Sequence, residues 1–179
     1  MANMENKSTI KRDALIGILF IGLILAILYV WLSPAGLQPA PVVSMKTLPD
    51  GRTIDLQKLR GRPVLITFWA TSCPGCIKEM PHLIELYNEL NPKGLEIIGV
   101  AMNYDRPDHV MAMQKSKGIP YPIVWDGTSE LATAFGQVRL TPSSFLINPD
   151  GQIVQQTLGE MDMHLLHARI LTMLKQGKA

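Results

Sequence analysis

Apolar and polar positions divide the chain into two unlike parts. From Ala14 to Leu32, ALIGILFIGLILAILYVWL, no charged residue occurs. A helix needs about 20 apolar residues to cross a bilayer, so this run predicts one spanning helix. Beyond it, apolar residues come in shorter groups whose period changes. VLITFW (64–69) is a continuous apolar run with β-branched residues, the pattern of a strand buried on both faces, and LEIIGVA (95–101) reads as a second buried strand. Between them Ile77, Met80, Ile84 and Tyr87 recur at helical spacing as far as Leu90. Asn91, Pro92 and Gly94 then close that helix. Residues 108–117 predict a helix ended by Gly118, and YPIVW (121–125) a short extended segment. Thr128 or Ser129 is a candidate cap for a helix reaching Phe135, with Gly136 after it. SFLI and IVQQTL flank NPDG, a hairpin signal, and PDGRT (49–53) is a hairpin-like turn. Met161–Lys175 predicts a final amphipathic helix. Strands alternating with helices, followed by a hairpin and a helix, predict an α/β fold with a central mixed sheet covered on both faces.

The flanks of the long apolar run set its direction. Lys7, Lys11 and Arg12 precede it, and positive charge beside a span stays in the cytoplasm, so later residues face outward. Tyr29 and Trp31 lie at the far end, where amphipathic rings favour the interface. The competing reading is a signal peptide cleaved near SPA (33–35), but such peptides have apolar cores of about 7–15 residues, and this run is longer. SPAGLQPAPVV (33–43) predicts a semi-rigid spacer. At about 3.1 Å per residue it would hold a domain roughly 30 Å from the membrane. The expected organisation is therefore residues 1–13 in the cytoplasm, 14–32 in the membrane, 33–43 a linker and 44–179 a globular domain.

Composition narrows the function. With 17 Lys and Arg against 15 Asp and Glu, the net charge is +2. No basic face argues for nucleic acid, and no acidic block for a disordered tail.

The candidate chemistry lies in FWATSCPGCIKEMP (68–81), which holds both cysteines of the chain, Cys73 and Cys76. Pro74 suits the first turn of a helix, so the stretch reads as strand, turn, helix, with Cys73 at or near the N-cap. Unpaired N–H groups and the helix dipole favour a thiolate there. Cys76, one turn on, is close enough to bond to Cys73 and is shielded by the helix. An exposed nucleophile with a second thiol beside it meets the needs of thiol–disulfide exchange: Cys73 attacks, Cys76 resolves. Three other readings compete. A staple closing so short a loop adds about 2 kcal/mol at most. Structural zinc wants four ligands, and no second cysteine pair exists. Two inert buried thiols fit poorly with Pro-Gly between them. The reading requires no cofactor and no metal.

Residues 44–179 resemble the membrane-anchored thiol–disulfide oxidoreductases of the TlpA-like or ResA-like family. The resemblance rests on LPDGRTIDLQKLRGRPVLITFWATSCPGCIKEMP, with its Cys73-x-x-Cys76-x-x-Glu79-x-Pro81 pattern, and on RLTPSSFLINPDGQIV. It implies a thioredoxin fold with an N-terminal hairpin extension and an inserted helix near residues 107–117, preceded by one transmembrane helix. It implies a protein-disulfide oxidoreductase, with the reductase direction favoured. Thr141-Pro142 would be the family's cis-proline loop beside the cysteines. Thr141, Pro142, Trp69 and Pro74 are then assigned to substrate binding. Ser72 stands where thioredoxins carry an aromatic residue, and Thr67 where many carry a buried carboxylate. Pro74-Gly75 reverses the thioredoxin Gly-Pro. Proton handling for Cys76 therefore falls to Asp105 or Glu79, with Arg106 a rival for the Asp105 slot; the competing reading makes both carboxylates solvated surface charges. The resemblance further implies protein disulfide substrates, apocytochrome c among them, and a membrane electron donor of the CcdA/DsbD type. It places the domain outside the inner (cytoplasmic) membrane, single-pass through 14–32, with no nucleic-acid partner. A peroxiredoxin-like peroxidase wants a threonine where Ala70 stands. A copper-binding assembly factor wants cysteines three residues apart and a distal histidine.

Overall fold

The computed structural model describes residues 21–24 and 37–176. Ile21–Ile24 are helical; the rest of the predicted span, with the residues before it, lies outside the described residues. Among the described residues no helix is long and apolar enough to cross a membrane.

From Leu37 onward the chain forms one compact unit. Its strands are β1 (Gln38–Pro39), β2 (Ser44–Leu48), β3 (Thr53–Asp55), β4 (Val64–Trp69), β5 (Glu96–Ala101), β6 (Ile123–Trp125), β7 (Ser143–Ile147) and β8 (Gln152–Leu158). Its helices are α1 (Pro74–Leu90), α2 (Pro107–Lys117), α3 (Glu130–Ala134) and α4 (Met163–Gln176). The strands form one sheet in the order β1-β8-β7-β4-β5-β6-β2-β3. β4 lies at its centre, parallel to β5 and antiparallel to β7.

All six residues of β4 are buried, as its unbroken apolar run requires. Successive side chains alternate between faces. Leu65 and Trp69 enter one core with Met80, Leu83 and Leu86 of α1 and Leu166 and Ile170 of α4. Ile66 and Phe68 enter the other, where the Phe68 ring meets Phe135 and Phe145 edge-on at 5.6 and 5.8 Å. The β2–β3 hairpin around PDGRT forms with Met45 opposite Ile54, and α2 occupies the place of the expected inserted helix.

Four details differ from the sequence reading. The expected linker ends early: Gln38 and Pro39 pair with β8, and the Ala40 N–H donates to the Gly151 carbonyl at 2.9 Å. An extended, proline-rich segment satisfies the exposed edge of β8, so the domain begins near Leu37 rather than at 44. The buried face of α1 runs through Cys76, Glu79, Met80, Leu83, Leu86 and Leu90, leaving Ile77, Ile84 and Tyr87 half-buried. Apolar residues flank the stripe on both sides, so spacing alone did not fix its centre. Ser129 is the N-cap of α3 but makes no capping bond with its side chain. Asp126 does that work, accepting from the Leu131 and Ala132 N–H groups at 3.1 and 2.8 Å. Finally α4 begins at Met163, because Met161 is buried in the core ahead of it and Asp162 accepts the Leu165 N–H at 2.9 Å.

Candidate active site

β4 delivers the chain to the site. After Trp69 it turns through Ala70, Thr71 and Ser72, and the Cys73 N–H donates to the Ala70 carbonyl at 3.1 Å. Cys73 is the N-cap of α1, in extended conformation, and Pro74 takes the first helical position, where its missing N–H removes no bond. The Cys73 and Cys76 sulfurs are joined in a disulfide. Cys73 Sγ also accepts the Cys76 N–H at 3.1 Å, so the sulfur does what a capping oxygen does at other helices. Cys73 retains 9% of its surface and Cys76 4%. The order agrees with the expected roles, but Cys73 is far less exposed than foreseen. Bonded to Cys76 and turned over the helix end, its sulfur is largely covered in the oxidised form.

The Thr141–Pro142 peptide bond is cis. Pro142 packs beside the disulfide turn: a Cβ on Gly75 would lie 3.5 Å from Pro142 Cδ and 3.8 Å from Glu160 Cγ. These are ordinary van der Waals separations, so the proline loop lies directly against the turn without requiring glycine there. Thr141 precedes the β7 ladder, and its hydroxyl meets the Tyr104 hydroxyl at 3.5 Å. Pro74 is exposed at the mouth of the site. Trp69, assigned to substrate binding on the resemblance, lies beneath the surface. It is only 4% exposed, and a Cβ on Gly99 would meet its Nε1 at 3.1 Å, so the indole packs against the flat backbone of β5. Its Nε1 is the buried side-chain polar atom left without a partner among the described residues.

Glu79 and Asp105 are both buried, which overturns their reading as solvated charges. Glu79 borders a cavity of about 10 Å³ together with Thr67, Trp69, Cys76, Tyr121 and Pro142. Its carboxylate accepts the Met161 N–H at 2.6 Å. Burial pushes its pKa above the usual carboxylate range, and the negative charge of Glu160 adds to this; the Met161 bond and His82 oppose it. Thr67 faces the same space but is occupied by the Ser144 hydroxyl at 3.0 Å. The carboxylate that β4 lacks thus comes from α1.

Asp105 serves differently. It follows β5, which runs parallel to β4, so it arrives beside the cysteine turn. Its two oxygens accept the Thr71 N–H at 2.6 Å and the Thr71 hydroxyl at 2.8 Å, and the Arg106 N–H donates to it at 2.9 Å. With its oxygens held by these donors, Asp105 fixes the turn that carries Cys73. Glu79, not Asp105, lines the cavity at Cys76. Arg106 pairs with Asp108 at 2.7 Å on the surface. Thr71, Met161 and Glu160 were not anticipated: nothing in the spacing of residues 160–161 signals that this turn meets α1.

A disulfide across the first turn of a helix, following a central strand and covered by a cis-proline loop, defines a thioredoxin-fold dithiol centre. The Redoxin family profile matches residues 36–172, and the chain belongs to that family. It is 39% identical over 113 residues to the thiol-disulfide oxidoreductase ResA of Halalkalibacterium halodurans, across 63% of this chain and 62% of that protein. With the ResA protein of Bacillus subtilis it shares 32% identity over 129 residues, covering 72% of this chain and 70% of the relative. The match to the first of these thus spans less than two thirds of the relative's length. Among solved structures, a thiol:disulfide interchange protein of the thioredoxin family from Chlorobium tepidum TLS superposes with a TM-score of 0.71 at 27% identity. It covers 79% of this chain and 99% of its own.

Proposed function

We propose that the protein is a disulfide reductase for other proteins, held at the outer face of the cytoplasmic membrane by residues 14–32. The observation that carries this reading is the Cys73–Cys76 disulfide at the N-terminus of α1 with the Thr141–Pro142 loop against it. In the reduced form, a Cys73 thiolate attacks one sulfur of a substrate disulfide. The substrate S–S bond breaks, a mixed disulfide with Cys73 forms, and the other substrate sulfur leaves as a thiolate. Cys76 then attacks Cys73 Sγ, giving its proton to Glu79 and releasing the second substrate thiolate. Two electrons pass from the dithiol to the substrate, and the Cys73–Cys76 disulfide is restored. Thr141, outside the β7 ladder, offers its backbone to an extended substrate segment in the manner of strand addition.

The cycle needs a reductant. A membrane dithiol donor of the CcdA/DsbD type supplies it in this reading, and a tether keeps the domain beside that donor. The haem-binding cysteines of apocytochrome c are the substrate class that the family resemblance supports. The test is the redox state of the pair in growing cells, read by thiol alkylation. It should be mainly reduced, and become oxidised when the donor is deleted. A pair that stays oxidised in wild-type cells and introduces disulfides into reduced substrates would reverse the direction.

A further inference from the structure

Away from the cysteines, the β2–β3 hairpin and the loop before β6 enclose a cleft of about 340 Å³. Pro49, Pro120, Pro122, Tyr87 and Tyr121 wall it, and Glu96 lines it. Of the lining residues only Tyr121 also borders the cavity at Cys76. The two tyrosine rings meet at 5.9 Å and 67°, forming an aromatic corner. The Tyr87 hydroxyl donates to Glu96 Oε1 at 3.3 Å, and burial with the nearby carboxylate pushes the phenol up to about 12.

Glu96 is the unusual member. It is half-buried, at the first position of β5, and burial raises its pKa above the ordinary carboxylate range. Arg62 and Arg52 act on it from a distance, yet among the described residues no cation lies within ion-pair reach of its carboxylate. Arg52, at the rim, is paired with Asp50 instead. A partly desolvated carboxylate beside two aromatic rings is short of one thing, a cation. A cation would offset the desolvation of Glu96 and stack on the half-buried Tyr87 ring as well. The planar, weakly hydrated guanidinium suits such a corner better than an ammonium. The volume is at the lower end of that of small-ligand sites, enough for a side chain.

We propose that this cleft takes the guanidinium of an arginine presented by a protein partner, with Glu96 as counter-ion and the half-buried Tyr87 as flanking ring, which Tyr121, only 3% exposed, backs from the core. It is a docking subsite separate from the dithiol.

The full chain in detergent micelles is titrated with Nα-acetyl-arginine amide while the tyrosine ring resonances are followed by NMR. Saturable shifts at Tyr87 and Tyr121 are expected, and none with the neutral isostere Nα-acetyl-citrulline amide. Glu96→Gln should weaken binding by about tenfold or more, as loss of a charge-assisted bond implies. Its unchanged melting temperature and insulin-reduction rate would show that the fold and the dithiol are intact. Arg52→Ala should leave the affinity within about threefold, since Arg52 is engaged by Asp50. Arginine within a short unstructured peptide should bind at least as tightly as the amide. Equal shifts with the citrulline probe, no saturable shift, or indifference to Glu96→Gln would overturn the site. Strong tightening in Arg52→Ala would make Arg52 the occupant, and exclusion of the peptide would rule out a protein-borne ligand; each result overturns the proposal. Failure here with insulin reduction preserved leaves the oxidoreductase reading standing.

Discussion

Glu79 shows what a residue's name conceals in a sequence. It occupies a helix position where a carboxylate usually meets water, yet it is 4% exposed and held by the Met161 N–H. Its pKa is raised chiefly by burial, so in the window between the ordinary and the raised value the folded state binds more protons than the unfolded chain. Stability must then fall as pH rises through that window, and the Glu79→Gln variant should lose this dependence. Denaturation midpoints measured from pH 4 to 8 check the sign; a wild-type protein gaining stability with pH while Glu79→Gln does not would contradict it. In the proposed cycle Glu79 accepts the Cys76 proton, so the same variant should slow resolution of mixed disulfides at neutral pH. Asp105 makes a different prediction. Removing its carboxylate leaves the part-buried Thr71 N–H and hydroxyl without their partner, a loss of about 1–3 kcal/mol. Asp105→Ala should lower stability by that much in urea titrations and also shift the redox potential of the pair, whereas a solvent-facing aspartate would change neither. The cysteines and the proline loop were legible from local pattern and family likeness. Thr71–Asp105 and Glu79–Met161 were not, because each joins positions 34 and 82 residues apart.

Elements were more legible than contacts. β4 announces itself by a continuous apolar run, β5 by the apolar stretch after Glu96, and the hairpin of β7 and β8 by its NPDG turn. Where the reading slipped, tertiary structure had supplied what local chemistry lacked. The side chain of Asp126, not that of the N-cap Ser129, accepts the first N–H groups of α3, and a strand edge recruits residues expected to be a free spacer. The second slip yields a test. A chain beginning at residue 44 loses the β1–β8 pairing and the buried Ala40. It should be less stable than one beginning at residue 37 by about 1–3 kcal/mol, judging from two or three hydrogen bonds and one small apolar side chain. Equal urea midpoints would return residues 37–43 to the linker. At the centre of the sheet, Phe68→Ala removes the ring packed between Phe135 and Phe145 and should cost about 3–5 kcal/mol.

For the whole molecule, the fold brings a helix N-terminus, a buried acid and a proline loop to one edge of a rigid sheet. In the proposed reading, the uninterrupted apolar run Ala14–Leu32 supplies a membrane address. An alkaline phosphatase fusion after residue 45 should be active and sediment with membranes; a soluble, processed product would remove the anchor from the account. The central claim is thiol–disulfide exchange with Cys73 attacking and Cys76 resolving. The most direct measurement replaces each cysteine by serine in cells and counts mixed disulfides on non-reducing gels. Cys76→Ser should accumulate adducts through Cys73 that disappear on reduction, and Cys73→Ser should accumulate none. Equal trapping by both variants, or by neither, would contradict the account.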